Sequence, residues 1–448
     1  MKKGLAMFGC ILLAAFASAE QNWKAVLRYD KQATKADLAE HLRKYAAQDS
    51  HAELYATAAP STKQQAAFAK ELAKELKHIG AANVQVSKTG IVTAEIPSTT
   101  NKPAAVLALV AHYDAPQQAR AQTPQTHAKY AKGDITLNKE KDIRLTEENS
   151  TQLLRAHGHD FLTSDGTAAF GADSKAGLAL AMTLADALLG HSSLQHGLIK
   201  IVLLPDAPSH AGAAALDTQA LGADAAYVLD GSDLGEIAAG NFSGRSFTAV
   251  FEGRRDIPLG QAVSSAFSDN LLMASDFHTL LPRHARPEAT SGTQGYITVD
   301  NIVTNGNRST VTGHIRAFTE ADLQQLSNQV SGAFKTVKAM YPRRTGAELT
   351  FEDQFENAQG HIPPVLIQSL EKAFRQEDIS PKRISVRNNT DFAVLTLHGL
   401  PAVGVFTGVF HGGEPLEYAD VDILEAALRA MMTAVLNIEN YPPSVAEK

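Results

Sequence analysis

The chain has 448 residues, 48 acidic against 41 basic side chains for a formal charge of −7, and a single cysteine. The charges are spread without long single-sign blocks, which argues against nucleic-acid binding. With Cys10 as the only thiol, no disulfide can form within the chain.

Lys2 and Lys3 precede an apolar stretch over residues 4–16 and the small residues Ala17, Ser18 and Ala19. This is the pattern of a secretory signal cleaved after Ala19, so the mature chain is expected to be periplasmic or secreted. The apolar stretch is too short to span a bilayer, and Gln21 and Asn22 follow at once, which disfavours an anchor. Lipidation at Cys10 is disfavoured because Met7 and Phe8 are bulky where such a signal wants Leu and a small residue. Cleavage removes Lys2 and Lys3, moves the charge from −7 to −9, and takes Cys10 away. Any metal held after export must then use His, Asp and Glu, which suit a catalytic kind of zinc site. No later apolar run reaches membrane-spanning length, and residues 20–448 are comfortable for two domains.

The first clear element is a helix over residues 61–80, with a Ser-Thr start, apolar residues at helical spacing (Phe68, Leu72, Leu76, Ile79) and a terminal glycine. Short β-rich runs then alternate with helical pattern: strand 104–110, helix 171–189, strand 198–204, strand 225–229. This predicts an α/β fold, a mostly parallel sheet with helices on both faces. Residues 114–163 are polar and irregular and read as a long excursion. Over residues 246–355 the order becomes strand 246–252, helix 261–281, strand 296–303, strand 309–318, helix 320–340, strand 347–351. That is a split β-α-β, or ferredoxin-like, unit. The α/β pattern resumes with helix 365–375, strands 383–386 and 402–406, and helix 421–436. The expected organisation is a signal (1–19), an α/β domain in two parts (20–245 and 356–448), and an inserted lid-like domain (246–355).

Candidate metal ligands share one position, immediately after an apolar strand. His112 and Asp114 follow one such run, Asp206 a second, Asp230 a third and His411 a fourth, while Asp173 opens the helix of residues 171–189. Strand ends on one edge of a parallel sheet converge, so these residues are expected to meet at one rim. Each alone is weak. A His-x-Asp pair is expected about once by chance in such a chain. Taken alone, Asp173 reads as a helix cap sooner than as a ligand, and Asp206 and Asp230 also read as turn residues and His411 as a satisfied loop histidine.

The ordered series Pro60–Thr62, His112–Asp114, Asp165–Gly177, Pro205–Asp206, Leu229–Glu236, Arg387–Asp391, Gly399–Pro401 and Phe406–Gly412 resembles the peptidase T family, two-zinc tripeptide aminopeptidases, over nearly all of the mature chain. The resemblance implies an α/β catalytic domain with an inserted ferredoxin-like lid. It implies that His112, Asp173 and Asp230 bind one zinc, that Asp173 bridges to a second held also by His411, and that Asp114 orients the metal-bound imidazole. A bridging carboxylate can hold two cations close enough to share a water nucleophile. Arg316 and Arg387 match arginines that contact a peptide's C-terminal carboxylate, a task suited to the guanidinium fork. Each reads equally as an exposed arginine at a strand end, and Asn388 and Asn389 replace two family glycines.

Three departures stand out. Where the family has two adjacent glutamates, a general base and a ligand of the second zinc, this chain has Ala207 and Pro208, with the flanking spacing kept. A lid histidine that helps hold the substrate carbonyl is matched by Ile257. One zinc per chain is therefore expected rather than two. His210 is a candidate substitute ligand, although a surface histidine in a turn is the simpler reading. Loss of general acid–base help typically costs about two to four orders of magnitude in rate. The expectation is a weak or inactive homologue that binds short peptides or a partner in its cleft; the alternatives are an active zinc hydrolase with an altered site, or a structural protein.

Overall fold

The computed structural model describes residues 22–54, 56, 58–254 and 268–437. The expected signal and Ile257 lie outside the described residues. Its centre is an eight-stranded sheet in the order Ala82–Val86, Val92–Ile96, Ile199–Leu204, Leu107–His112, Ala225–Gly231, Ala402–Phe406, Glu236–Asn241, Lys382–Val386. The strands from Ile199–Leu204 to Ala402–Phe406 run parallel. A reversed strand, Val92–Ile96, flanks them on one side and Glu236–Asn241 on the other. The sheet is therefore mixed at its margins and parallel where the candidate ligands lie. Leu107–His112 is buried along its whole length, as expected of a strand covered on both faces.

The helix Ala172–Gly190 crosses this sheet. Thirteen of its residues are buried, so it is apolar all round, as a core helix must be. Gly177 sets its closeness: a β-carbon there would lie 2.0 Å from the carbonyl oxygen of Leu229. The helix start is thereby brought against the strand that carries Asp230.

The inserted unit is a four-stranded antiparallel sheet in the order Tyr296–Asn305, Arg308–Ala317, Ser243–Glu252, Gly346–Phe355, with helices Asn270–Leu280 and Glu320–Met340 packed on it. Phe247, Phe251, Phe277 and Phe334 fill a core of its own, separate from the main one. The chain order is the expected split β-α-β.

Two regions differ from expectation. The polar excursion contains Gln125–His127 and Phe161–Thr163, which join Tyr418–Asp420 and Val409–Phe410 in a further sheet, and a hairpin, Ile135–Asn138 with Ile143–Leu145. Before residue 61 the chain already forms the helix Lys31–Ala46, capped by Asp30. Just ahead of it, Trp23 is buried and donates from Nε1 to Thr433 Oγ1 at 3.0 Å, while Lys24 pairs with Glu377 at 2.6 Å and the Tyr29 hydroxyl donates to Glu425. The first described turn is thus stapled through Trp23 and Tyr29 to the last described helix, Val421–Leu436, and through Lys24 to Glu377 beside it.

Candidate metal centre

His112 is the last residue of Leu107–His112, in register with Leu204 on the neighbouring strand. Asp230 stands at the end of Ala225–Gly231, Asp173 is the second residue of Ala172–Gly190, and His411 follows Val409–Phe410. Asp173 lies against the His411 loop, because a β-carbon on Gly412 would sit 2.3 Å from its Oδ1. Asp206, His210 and His411 hold positive φ angles of 57°, 57° and 54°, three of the nine described non-glycine residues that do so. Backbone in this sparsely populated region tends to collect at functional sites.

The most tightly built part surrounds His112. Its Nε2 lies 2.9 Å from Oδ2 of Asp391, whose other oxygen is bonded to His210 Nδ1 at 2.5 Å. His112 Nδ1 is 4.0 Å from Asp114 Oδ1, beyond hydrogen-bond reach. Asp114 Oδ2 instead accepts the Ala207 N–H at 3.2 Å. Both ring nitrogens of His112, together with Asp114 Oδ1 and Asp391 Oδ2, are buried with no hydrogen-bond partner. His112 and Asp391 are close enough for an ion pair but not aligned for a hydrogen bond. Each such orphan costs about 1–3 kcal/mol, more for a charged group. A set of bare imidazole and carboxylate atoms fits a divalent cation.

The electrostatics agree. Burial alone would lower the His112 pKa, but Asp391, helped by Asp230 and Asp114, raises it to about 10. Asp391 resists burial and is held well below the carboxylate range by His112 and His210. Burial pushes Asp114 up to about 7 against the pull of His112. Asp173 is raised by burial. Asp230 is raised by burial too, although it reaches solvent at the strand end; His112 opposes this, while Asp173, Asp391 and Asp114 add to it. Carboxylates are gathered here in excess of the positive charge that faces them.

The side chains of His112, Asp173, Asp230 and His411 share the rim, but no three of them bring ligand atoms within 4.8 Å of one another; among the described residues His159, Asp420 and Asp422 do. That trio reads as structural. Lys35 Nζ pairs with both Asp160 and Asp422 at 2.6 Å, and Asp420 caps the helix Val421–Leu436. His411 is turned to the exposed Glu414, at 3.1 Å. Asp206 is directed away from the rim, accepting from Ser61 N at 3.0 Å, Ser61 Oγ at 2.5 Å and Gln65 Nε2 at 2.8 Å. Ala207 and Pro208 occupy a short turn at the end of Ile199–Leu204, between Asp206 and His210.

Sequence reasoning missed Glu417. Fully buried, it accepts the N–H groups of Phe170, Gly171, Ala172 and Asp173, and that of Gly413, at 2.7–3.2 Å. One carboxylate thus satisfies the helix start that carries Asp173 and ties it to the His411 loop. Nothing in a lone loop glutamate six residues past His411 announces that role.

At the junction of the two sheets, Arg316 lies 4.7 Å over the Phe355 ring and donates to Gln354 Oε1 at 2.9 Å. Burial lowers its pKa. Arg387 donates to Thr290 O at 2.8 Å and Thr290 Oγ1 at 2.5 Å, under Tyr296. Among the described residues neither guanidinium is paired with a carboxylate.

This arrangement, a sheet with the candidate ligands at its parallel strand ends and an inserted lid-like unit, is the fold of the M20 peptidases. The aminopeptidase PepT from Bacillus cereus superposes with a TM-score of 0.69 at 17% identity, covering 90% of this chain and 99% of that one. A peptidase from Bacillus subtilis described as binding a dinuclear metal centre superposes at 0.60 and 15%, covering 91% and 99%. No family model matches the chain. Sequence takes the assignment further. Peptidase T of Caldanaerobacter subterraneus is 32% identical over 382 residues, 84% of this chain and 92% of that protein. Peptidase T of Listeria welshimeri is 31% identical over 406 residues, 89% and 97%. The chain belongs to the peptidase T family.

Proposed function

We propose that this protein is an exported peptidase T homologue that binds short peptides in its cleft and hydrolyses them weakly or not at all. The observation that carries this reading is the turn at Ala207 and Pro208: neither residue can take a proton, and the acid next to them, Asp206, is bonded away from the cleft. Export is supported by the leader pattern of residues 1–19.

His112, Asp173 and Asp230 would hold one zinc ion. When bound, such an ion polarises a water or a carbonyl oxygen. The remaining steps belong to the chain's own residues. Arg316 and Arg387, which have no carboxylate partner among the described residues, would bind and orient the peptide's terminal carboxylate. Asp114 holds the Ala207 N–H and keeps the turn against the His112 strand.

The test is to incubate the mature protein with zinc and a mixture of tripeptides, following free amino acids and, in parallel, peptide binding by calorimetry. Binding without release is expected. Rapid release would establish the second reading, an active zinc-dependent tripeptide aminopeptidase. That reading draws support from His210, an imidazole beside the two positions that lack glutamate.

A further inference from the structure

Asp391 opens the helix Asp391–Leu397, and Thr390 caps that helix, so the carboxylate is free of capping duty. It is 4% exposed. One oxygen is fixed by His210 Nδ1 at 2.5 Å, and the other faces His112 Nε2 at 2.9 Å without a hydrogen bond. Three separate segments make this arrangement: a strand end, the turn after the adjacent strand, and a helix start. His210 reaches Asp391 from a left-handed backbone conformation, φ 57°, immediately after Ala207–Ser209.

We infer that Asp391 Oδ2 is a further metal ligand, closing with His112 on the single divalent cation while His210 acts as its positioning residue. The inference rests on the one-metal reading above. A purely structural lock would align the His112 N–H with the Asp391 oxygen; here the two buried atoms sit 2.9 Å apart as an ion pair without hydrogen-bond geometry, so their charges are matched while their donor and acceptor capacity is left over. An imidazole and a carboxylate are donors suited to zinc. A carboxylate held through its second oxygen by a neighbouring side chain is the usual way a ligand is oriented.

The experiment uses the mature protein stripped of metal, equilibrium dialysis against zinc, and the visible spectrum of the cobalt(II) form. One metal per chain is expected for the parent. Asp391→Asn should weaken zinc binding by about 100-fold and shift the cobalt bands, whereas His210→Gln should weaken it by about tenfold and leave the bands in place. If Asp391→Asn is folded by circular dichroism, binds zinc within about twofold of the parent and gives an unchanged cobalt spectrum, the inference is wrong. Should that variant fail to fold, Asp391→Glu decides: moved cobalt bands support direct ligation and unmoved bands overturn it. A parent that takes up no cobalt overturns it as well. Tripeptide turnover, measured separately, bears only on the functional reading, so the two can fail independently.

Discussion

The two sides of the rim are built differently. Around His112 the imidazole, Asp114 and Asp391 are buried, four of their polar atoms lack hydrogen-bond partners, and opposite charges face one another without hydrogen-bond alignment. Around His411 the imidazole is satisfied by an exposed glutamate, and the buried charge, Glu417, is saturated by backbone N–H groups. The first side keeps donor and acceptor capacity that its own side chains do not use, whereas the second spends its capacity internally. The comparison teaches that the loss of two glutamates need not have emptied the cleft evenly.

The largest expected effect tests the first side directly: His112→Ala should abolish zinc retention on dialysis, since no other imidazole faces Asp391 Oδ2. Retention of one zinc would break the comparison. Glu417→Ala tests the second side as scaffold. It strands several backbone donors at the start of Ala172–Gly190 and should cost about 3 kcal/mol, read from denaturant midpoints. A variant as stable as the parent would show that the clamp is not holding Asp173.

Acidity sharpens the contrast further. In the metal-free protein His112 is raised from 6.5 to about 10, so its stabilising pairing is complete below pH 6.5 and is lost as pH rises toward 10. Asp114, raised from 3.8 to about 7, acts in the same direction at lower pH. The metal-free Tm should therefore fall between pH 6 and 9, and the rise in Tm on adding zinc should grow over that range as protons cease to compete. A zinc-induced rise independent of pH would remove His112 from the site.

Restoration is expected to act more gently. Ala207→Glu with Pro208→Glu should raise metal affinity modestly, because replacing proline also frees a backbone angle and adds an N–H that the turn must satisfy. Adding Ile257→His should then increase tripeptide turnover more than either glutamate alone, since groups acting in one transition state are non-additive. A triple variant no faster than an already rapid parent would mean that another residue serves as base. The smallest effect is reserved for His411→Ala, which should change metal content little; a loss equal to that of His112→Ala would show that the two sides remain coupled.

Much of this was legible in the sequence. Apolar runs such as residues 107–112 and 199–204 end abruptly in polar residues, so the strands and the rim they share could be read together. The marginal strand Glu236–Asn241 was hidden by its Ala-Ala-Gly composition, which carries little strand preference. The helix Lys31–Ala46 shows only a thin apolar stripe, Leu38, Leu42 and Tyr45. Asp391 was visible as part of a motif, but its approach to His112 joins residues far apart in the chain through tertiary packing that no local pattern encodes. His210 was weighed as a ligand; its bond to Asp391 depends on a left-handed turn that histidine seldom adopts.

The staple between Trp23 and Thr433 has a consequence for how the molecule comes to be folded. A chain made from its beginning onward offers its first turn long before its last helix exists, and the long separation makes that closure slow. Until Val421–Leu436 arrives, Trp23 has no hydroxyl to meet and Tyr29 lacks Glu425. A latch that cannot shut early leaves the nascent chain pliable and secures it only once the whole length has been made, which suits the export proposed above.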